Sequence, residues 1–459
     1  MATFTLSEIL KATNGTVSNK GISESVSGVS TDTRTIQKGE LFIPLIGENF
    51  DGHNFLDVAV SAGASCVLVS ETDKAGTLPA SVTVVHVDNT LKALEDLARF
   101  HRLRFSIPVI AVTGSNGKTT TKDMTAAIMS STFRTCATKK NFNNEIGLSQ
   151  TLLGLTEEDR VCVVEMGMRG FGQIDELCHV ACPTIGIVTN VGTSHIGILG
   201  SRENIAKAKS ELVRNLPDHG VAILNSDDEF VSRMDTFCQG KSIYFGVEHG
   251  ADVKGDSLAF KANETDYVCK TEKGSFPVSL RMLGIHNVYD ALAATAAGLL
   301  VGVPIDAIQK TLNSFVPQSA SQKLYEVRGA KVLDDSYNAN PLSVEMAFRA
   351  LAQIPAKRRI LVLGDMLELG EFADTLHYDI GQKAAKSGSD ILIAMGTLSR
   401  MTAKGARDSG MKTVICCDNC EEAAMYLKKY AACGDAVLIK GSHAMHMETI
   451  AGLWEGDQK

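Results

Sequence analysis

At 459 residues, of which 44% are apolar and 21% charged, the chain has material for about three domains of roughly 150 residues each. Its formal charge of −8 lacks the basic excess that would neutralise phosphates along a polynucleotide, so nucleic acid is not an expected partner. The eleven cysteines are scattered, with close pairs only at Cys178/Cys182, Cys416/Cys417 and Cys417/Cys420. They form neither a disulfide framework nor zinc-ligand spacing, and fit a reducing, cytoplasmic compartment.

The opening MATFTLSEILKATNG has a helical look, with acidic Glu8, and lacks the basic-then-apolar order of a signal peptide. No apolar run reaches the ~20 residues that a membrane span needs, so none is expected. Residues 1–86 are Ser/Thr-rich with short apolar segments, ELFIPLIG and ASCVLVS, and read as a small α/β module. Residues 87–315 begin a different pattern. IPVIAVTG, VCVVEMG and TIGIVTNVG are continuous apolar runs that stop at glycine, as strands of a parallel sheet buried on both faces do. TKDMTAAIMSS and SRENIAKAKSELVRNL have helical patterning and separate or follow them, so the expected fold is a doubly wound, mostly parallel α/β sheet. In residues 316–459 the segments KVLDDSYNANP, RRILVLGDM, DILIAMG and AVLIKGS repeat the strand-then-glycine pattern, which predicts a second, Rossmann-like open sheet.

Ligands of open α/β sheets collect at the carboxyl ends of the strands. The first run ends in TGSNGKTT. Backbone amides of Gly114, Ser115, Asn116 and Gly117, with the positive end of the next helix, form an anion cradle; Lys118 adds a cation, and Thr119 and Thr120 add hydroxyls. The chemistry implied is ATP binding with Mg²⁺ on Thr119. The general P-loop pattern wants glycine at position 112, where this chain has Val112. The second run delivers Glu165, whose carboxylate beside a phosphate loop suits Mg²⁺. The third leads to His195 and then to a helix on which Lys209 shares a face with Ile205, Leu212 and Val213, whereas Lys207 sits between Glu203 and Glu211. Lys209 is therefore expected in apolar surroundings with a lowered pKa and Lys207 in solvent. A snorkelling Lys209 and a structural His195 are the alternatives that the residues alone leave open.

Taken together, TGSNGKTTTK, NFNNEIG, EMG, TNVGTSHI, AKAKSEL, GIHN, DSYNANP, LGDMLELGE and KGS resemble, in order and over nearly the whole chain, the Mur ligase family. NFNNEIG, DSYNANPLS and LGDMLELGE resemble the branch that adds D-alanyl-D-alanine to UDP-N-acetylmuramoyl-tripeptide. The resemblance implies a UDP-sugar-binding domain at 1–86, an ATP-binding ligase domain at 87–315 and a dipeptide-binding domain at 316–459. Substrate contacts are implied at Thr31, Asp32, Thr33 and Arg34, at Asn143 and Asn144, and at Asn338 and Asn340 beside the incoming dipeptide. The nucleotide site would include Asn287, Lys323, Asp335 and Tyr337. In this family the lysine matching Lys209 takes up CO₂ as a carbamate and, with Glu165 and His195, holds a second Mg²⁺. A monomer is expected. The chain departs from the family pattern at Ser149, Asp290, Lys323 and His443. Competing readings are a sister ligase that adds the diamino acid, a folylpolyglutamate synthase, and a P-loop regulator without ligase chemistry.

Overall fold

The computed structural model describes residues 2–70, 78–317 and 322–456. The chain divides into two compact units, residues 1–111, 133–167 and 174–184 in the first and 112–132, 168–173 and 185–459 in the second.

The first unit contains a five-stranded sheet in the order Thr16–Asn19, Thr83–His86, Cys66–Val69, Leu41–Phe42, Val29–Ser30. The Thr16–Asn19 edge strand is antiparallel to its neighbour and the other pairings are parallel. Phe42, Leu56, Val67, Val69 and Val84 pack into its core, a continuous apolar filling that matches strands covered on both faces. Helix Leu6–Thr13 starts at a capping box in which Thr5 and Glu8 satisfy each other's backbone amides. Elsewhere in the unit, strands Thr135–Ala137 and Val161–Glu165 pair in parallel.

In the second unit, strands Ile185–Val188, Val221–Asn225, Lys241–Gly246 and Val253–Phe260 run parallel to one another. Thr265–Thr271 and Gly274–Leu280 then continue the sheet as an antiparallel meander. A search for continuous apolar runs misses this meander because its strands alternate: Thr265, Tyr267 and Cys269 face inward and the residues between them are more exposed. Helix Ile285–Val301, buried over most of its length, lies on this sheet.

The second sheet of this unit has six strands in the order Lys323–Val327, Ala330–Asp334, Ala436–Lys440, Arg359–Gly364, Ile391–Met395, Thr413–Cys417. Its first pair is antiparallel and the rest parallel. Ala436–Lys440 returns last in the chain to the middle of the sheet. The strand order therefore reverses there, where the loops DSYNANP, GDMLELGE and KGSHAM leave three adjacent carboxyl ends. All eleven cysteines are free thiols, and among the described residues no helix is long and apolar enough to cross a membrane.

Candidate active site

Strand Val109–Thr113 is buried throughout and hands the chain to Gly114–Gly117 and then to helix Lys118–Ser130. Val112 lies inside this strand, fully buried, two residues before the turn, so glycine is not needed there. It is needed at Gly114 (φ +150°) and Gly117 (φ +78°), where a Cβ would collide with Thr189 Oγ1 and Asp290 Oδ1 respectively. The segment after strand Ile185–Val188 clamps the loop. The Ser115 amide donates to Asn190 O (2.9 Å) and the Asn116 amide to Asn190 Oδ1 (3.0 Å), while Thr189 Oγ1 donates to Asn116 O (2.6 Å). The first-turn amides of the helix, from Lys118 onward through Thr119 and Thr120, have no carbonyl within the helix to bond, which is the basis of an anion site. Lys118 Nζ folds back onto Gly114 O (2.9 Å) and Ser115 O (3.3 Å), closing the cradle with a cation. Behind the loop, buried Asp290 accepts from Thr121 Oγ1 (3.0 Å); burial pushes its pKa up to about 8, opposed by that hydrogen bond.

At the end of Val161–Glu165 the Glu165 side chain is 1% exposed. Its Oε1 accepts from Asn143 Nδ2 (2.8 Å), its backbone amide donates to Thr138 Oγ1 (3.2 Å), and Oε2 has no hydrogen-bond partner. A buried carboxylate oxygen left without a donor is costly, and a bound cation would satisfy it. Asn143 and Asn144 of NFNNEIG are committed to the protein itself. Asn143 orients Glu165, and its carbonyl accepts from Gly167 N; Asn144 caps helix Glu145–Leu153 by accepting from Gly147 N (3.0 Å).

The third strand end brings charges together. His195 adopts φ +63° before the short helix Ile196–Leu199, with Nδ1 2.8 Å from Glu368 Oε2. Lys209 is 2% exposed on helix Arg202–Arg214, among Ile205, Leu212 and Val213, all fully buried; Lys207 is exposed over the Phe171 ring at 5.6 Å. Burial holds the Lys209 pKa well below the usual range, and the nearby Lys118 charge lowers it further. His195 is lowered by burial and by Lys118 and Lys209, while Glu368 acts in the opposite direction. Three basic groups thus share one region, and buried Lys209 and half-buried His195 are held toward their neutral forms.

The loops of the six-stranded sheet carry the next set. Asp335 pairs with buried Lys440 (2.6 Å), whose Nζ also donates to Asn338 O (2.9 Å). Asn338 Oδ1 accepts from Ala339 N, and the Tyr337 ring lies 5.7 Å from His443. Asn340 caps helix Pro341–Gln353 and donates to Asn116 Oδ1 (2.6 Å) and Ser194 Oγ (3.0 Å). Its side chain therefore reaches the phosphate loop, a place the expectation of a dipeptide contact did not foresee. Asn287 is buried and donates to Leu283 O (2.7 Å) and Gln322 Oε1 (2.9 Å). Next to it, burial pushes the His286 pKa down to about 4. Lys323 is exposed and lines a cavity of about 730 Å³ with Arg281, Leu283, Gln322 and Tyr325. In the first unit, Asp32 grips the exposed Arg34 through Nε (2.9 Å) and Nη2 (2.6 Å), which holds the Asp32 pKa at about 2. Thr31 Oγ1 accepts from Gln150 (3.0 Å), and Thr33 is half-buried.

Residues 25–102 match the Mur ligase family catalytic domain, 112–298 the Mur ligase middle domain and 321–443 the Mur ligase glutamate ligase domain. The chain is 35% identical over 450 residues to the UDP-N-acetylmuramoyl-tripeptide--D-alanyl-D-alanine ligase of Bacillus subtilis, covering 97% of both chains. The chain belongs to the Mur ligase family. Among solved structures it resembles MurF from Acinetobacter baumannii, with TM-score 0.92 and 30% identity over the whole of both chains. It also resembles MurF from Thermotoga maritima in complex with ADP, with TM-score 0.83 and 25% identity over 93% of this chain and 97% of that one.

Within this Mur ligase the structure joins Lys118, His195 and Lys209 electrostatically and Asn340 to the phosphate loop. The sequence reading missed Asn190, Lys440 and Glu368. A signal existed for Lys440, a lone charge ending the apolar run AVLIK, since a buried ammonium needs a partner. Asn190 and Glu368 carry no local signature, because their roles depend on segments 74 and 173 positions away in the chain.

Proposed function

We propose that the chain is an ATP-dependent ligase joining D-alanyl-D-alanine to UDP-N-acetylmuramoyl-tripeptide, the cytoplasmic step that completes the peptidoglycan pentapeptide precursor. The observation that carries this reading is the pairing of full-length likeness to the Bacillus subtilis ligase with strand ends that supply an anion cradle at Lys118 and a half-satisfied buried carboxylate at Glu165. A sister ligase and a folylpolyglutamate synthase share that chemistry, but the full-length relative is a D-alanyl-D-alanine ligase.

In this scheme residues 1–86 bind the uridine end of the substrate, with Thr31, Asp32, Thr33 and Arg34 facing it. Residues 87–315 hold ATP, and 316–459 hold the dipeptide near Asn338 and close the nucleotide site with Lys323, Asp335 and Tyr337. Asn287 orders the adenine side. The terminal carboxylate of the tripeptide attacks the γ-phosphorus of ATP, forming an acyl phosphate and releasing ADP. The amine of D-alanyl-D-alanine then attacks the acyl carbon; the C–O bond to phosphate breaks, a proton leaves the amine, and the amide remains. Lys118 and the first-turn amides offset the charge gathered when two anions meet. The Asn340 hydrogen bond to Asn116 ties a dipeptide-side loop to the phosphate loop, an arrangement suited to excluding water from the acyl phosphate.

By the family pattern Thr119 and Glu165 would hold one Mg²⁺, and Glu165, His195 and a carbamate on Lys209 the other; the unpartnered Glu165 Oε2 supports a cation at that carboxylate. Magnesium there would neutralise the phosphates and polarise the phosphoryl group. The neutral Lys209 amine, the form its burial favours, is the one that would add CO₂, losing a proton to leave an oxygen-donating carbamate anion.

The test is phosphate release from the purified chain with ATP, the tripeptide substrate and either D-alanyl-D-alanine or meso-diaminopimelate. Release is expected with D-alanyl-D-alanine. Release with the diamino acid alone would overturn the assignment, and ATP hydrolysis indifferent to both would favour the regulator.

A further inference from the structure

Glu368 stands in the LGDMLELGE loop, and nothing in the scheme above uses it. Its carboxylate lies 2.8 Å from His195 Nδ1 through Oε2, an ion-pair contact whose angle falls short of a hydrogen bond, and 3.9 Å from Arg169 Nε through Oε1. The backbones meet too. Glu368 O accepts from Gly197 N (3.3 Å), and Gly197 and Gly370 are packed so closely that a Cβ on Gly370 would sit 2.7 Å from Gly197 Cα. Glu368 and His195 both adopt φ +63°, a conformation that costs a side-chain-bearing residue energy and persists where surrounding contacts enforce it. The loop is anchored from behind, because Met366 N donates to His377 Nε2 (3.0 Å) and Leu367 N to Ser442 Oγ (2.9 Å).

We propose that Glu368 is a positioning residue for His195, so that seating of this loop fixes the imidazole with Nδ1 on the carboxylate and Nε2 as the ligating nitrogen. A histidine that binds a metal through one nitrogen is held in tautomer and orientation by an acceptor at the other. Here the carboxylate facing Nδ1 comes from the sheet that carries the dipeptide-side loops, 173 positions along the chain, and a small turn of the ring would make it the acceptor. The metal centre is then complete only when that loop is in place, which couples binding of the acceptor dipeptide to activation of ATP. This rests on the two-metal reading of the site.

The test uses the full chain with ADP and Mn²⁺, counting and titrating bound Mn²⁺ by electron paramagnetic resonance. Wild type is expected to bind two ions. Glu368→Ala is expected to weaken one of them by about 10–100-fold, the usual effect of removing a metal ligand's supporting carboxylate. ADP affinity without metal should not change. Gly197→Ala, which forces the loop away while keeping the Glu368 carboxylate, should reproduce that weakening. Superimposable Mn²⁺ titrations for wild type and Glu368→Ala would overturn the role of Glu368, as would an equal loss of metal-free ADP affinity, which marks general damage to the loop. A wild-type chain that binds one Mn²⁺ would instead overturn the two-metal reading, so the two failures are distinguishable.

Discussion

The phosphate-loop region and the Thr31–Arg34 segment are both assigned to anionic parts of substrates, yet they are built in opposite ways. Around the loop, glycines are enforced by contact, a buried lysine and a half-buried histidine are held toward neutrality, and Ser115, Asn116 and Thr189 tie separate segments together. In Thr31–Arg34 the guanidinium is 86% exposed and already satisfied by Asp32, two residues away. Buried charge is expensive and so demands a reason; exposed charge is cheap and demands none. The comparison predicts that substitutions in the first region act on turnover and those in the second on substrate affinity alone.

The largest effect is expected at Lys209. Lys209→Ala should reduce turnover by on the order of 10²–10³-fold or more, the scale for removing one preorganised electrostatic group. Small carboxylates such as acetate, standing in for the carbamate, should restore part of it. Full activity in the variant would return Lys209 to the role of a structural residue and remove the contrast between the two regions.

Gly117→Ala comes next. At φ +78° an alanine is strained by about 1–2 kcal/mol, and its Cβ would be driven onto Asp290. Displacement of the helix start by even 1 Å can cost about 10²-fold. A raised KM for ATP with a lowered kcat is expected in steady-state kinetics. Wild-type kinetics would show that the loop tolerates displacement and that its packing is incidental to function.

These two residues also mark how much of the molecule was legible beforehand. Lys209 was separable from Lys207 by helical periodicity, and Gly117 by its place between a buried strand and a helix, because both signals are local. The parallel strands and the second open sheet were legible for the same reason. The uses of Asn143, Asn144 and Asn340 were not. An asparagine's partner is chosen by tertiary contact, and nothing in NFNNEIG says that Asn143 will turn toward Glu165, 22 residues on. The Val253–Leu280 meander escaped because alternating strands do not produce continuous apolar runs.

Asp290 supplies a pH dependence. Its folded pKa of about 8 lies above the ordinary value of 3.8, so the protonated form is favoured in the fold. The stability it contributes is fully present below about pH 4 and is lost as pH rises toward 8. Asp290→Asn keeps an acceptor for Thr121 and removes that loss. Melting temperatures at pH 5, 7 and 9 should show the variant gaining on wild type between the first two, and gaining somewhat further by the last, with the gain levelling off above about pH 8. Parallel curves would mean that Asp290 is ionised in the fold, with a cation or water supplying its charge balance.

The smallest effect belongs to Arg34. Its guanidinium is exposed and its charge largely offset by Asp32, so Arg34→Ala leaves no buried group unpaired and should not move the melting temperature. If the segment faces the uridine diphosphate, truncation removes one long-range attraction and one set of donors. KM for the UDP-linked substrate should then rise by roughly 5–30-fold, the range of about 1–2 kcal/mol for a charged hydrogen bond at a partly solvated site, with kcat preserved. The salt dependence of KM sharpens the point. Exposed attraction is screened at physiological ionic strength, so the gap between wild type and variant should narrow as salt is added. A fall in kcat with KM unchanged would place Arg34 with the phosphate-loop residues instead, and the division between buried chemistry and exposed affinity would no longer follow burial.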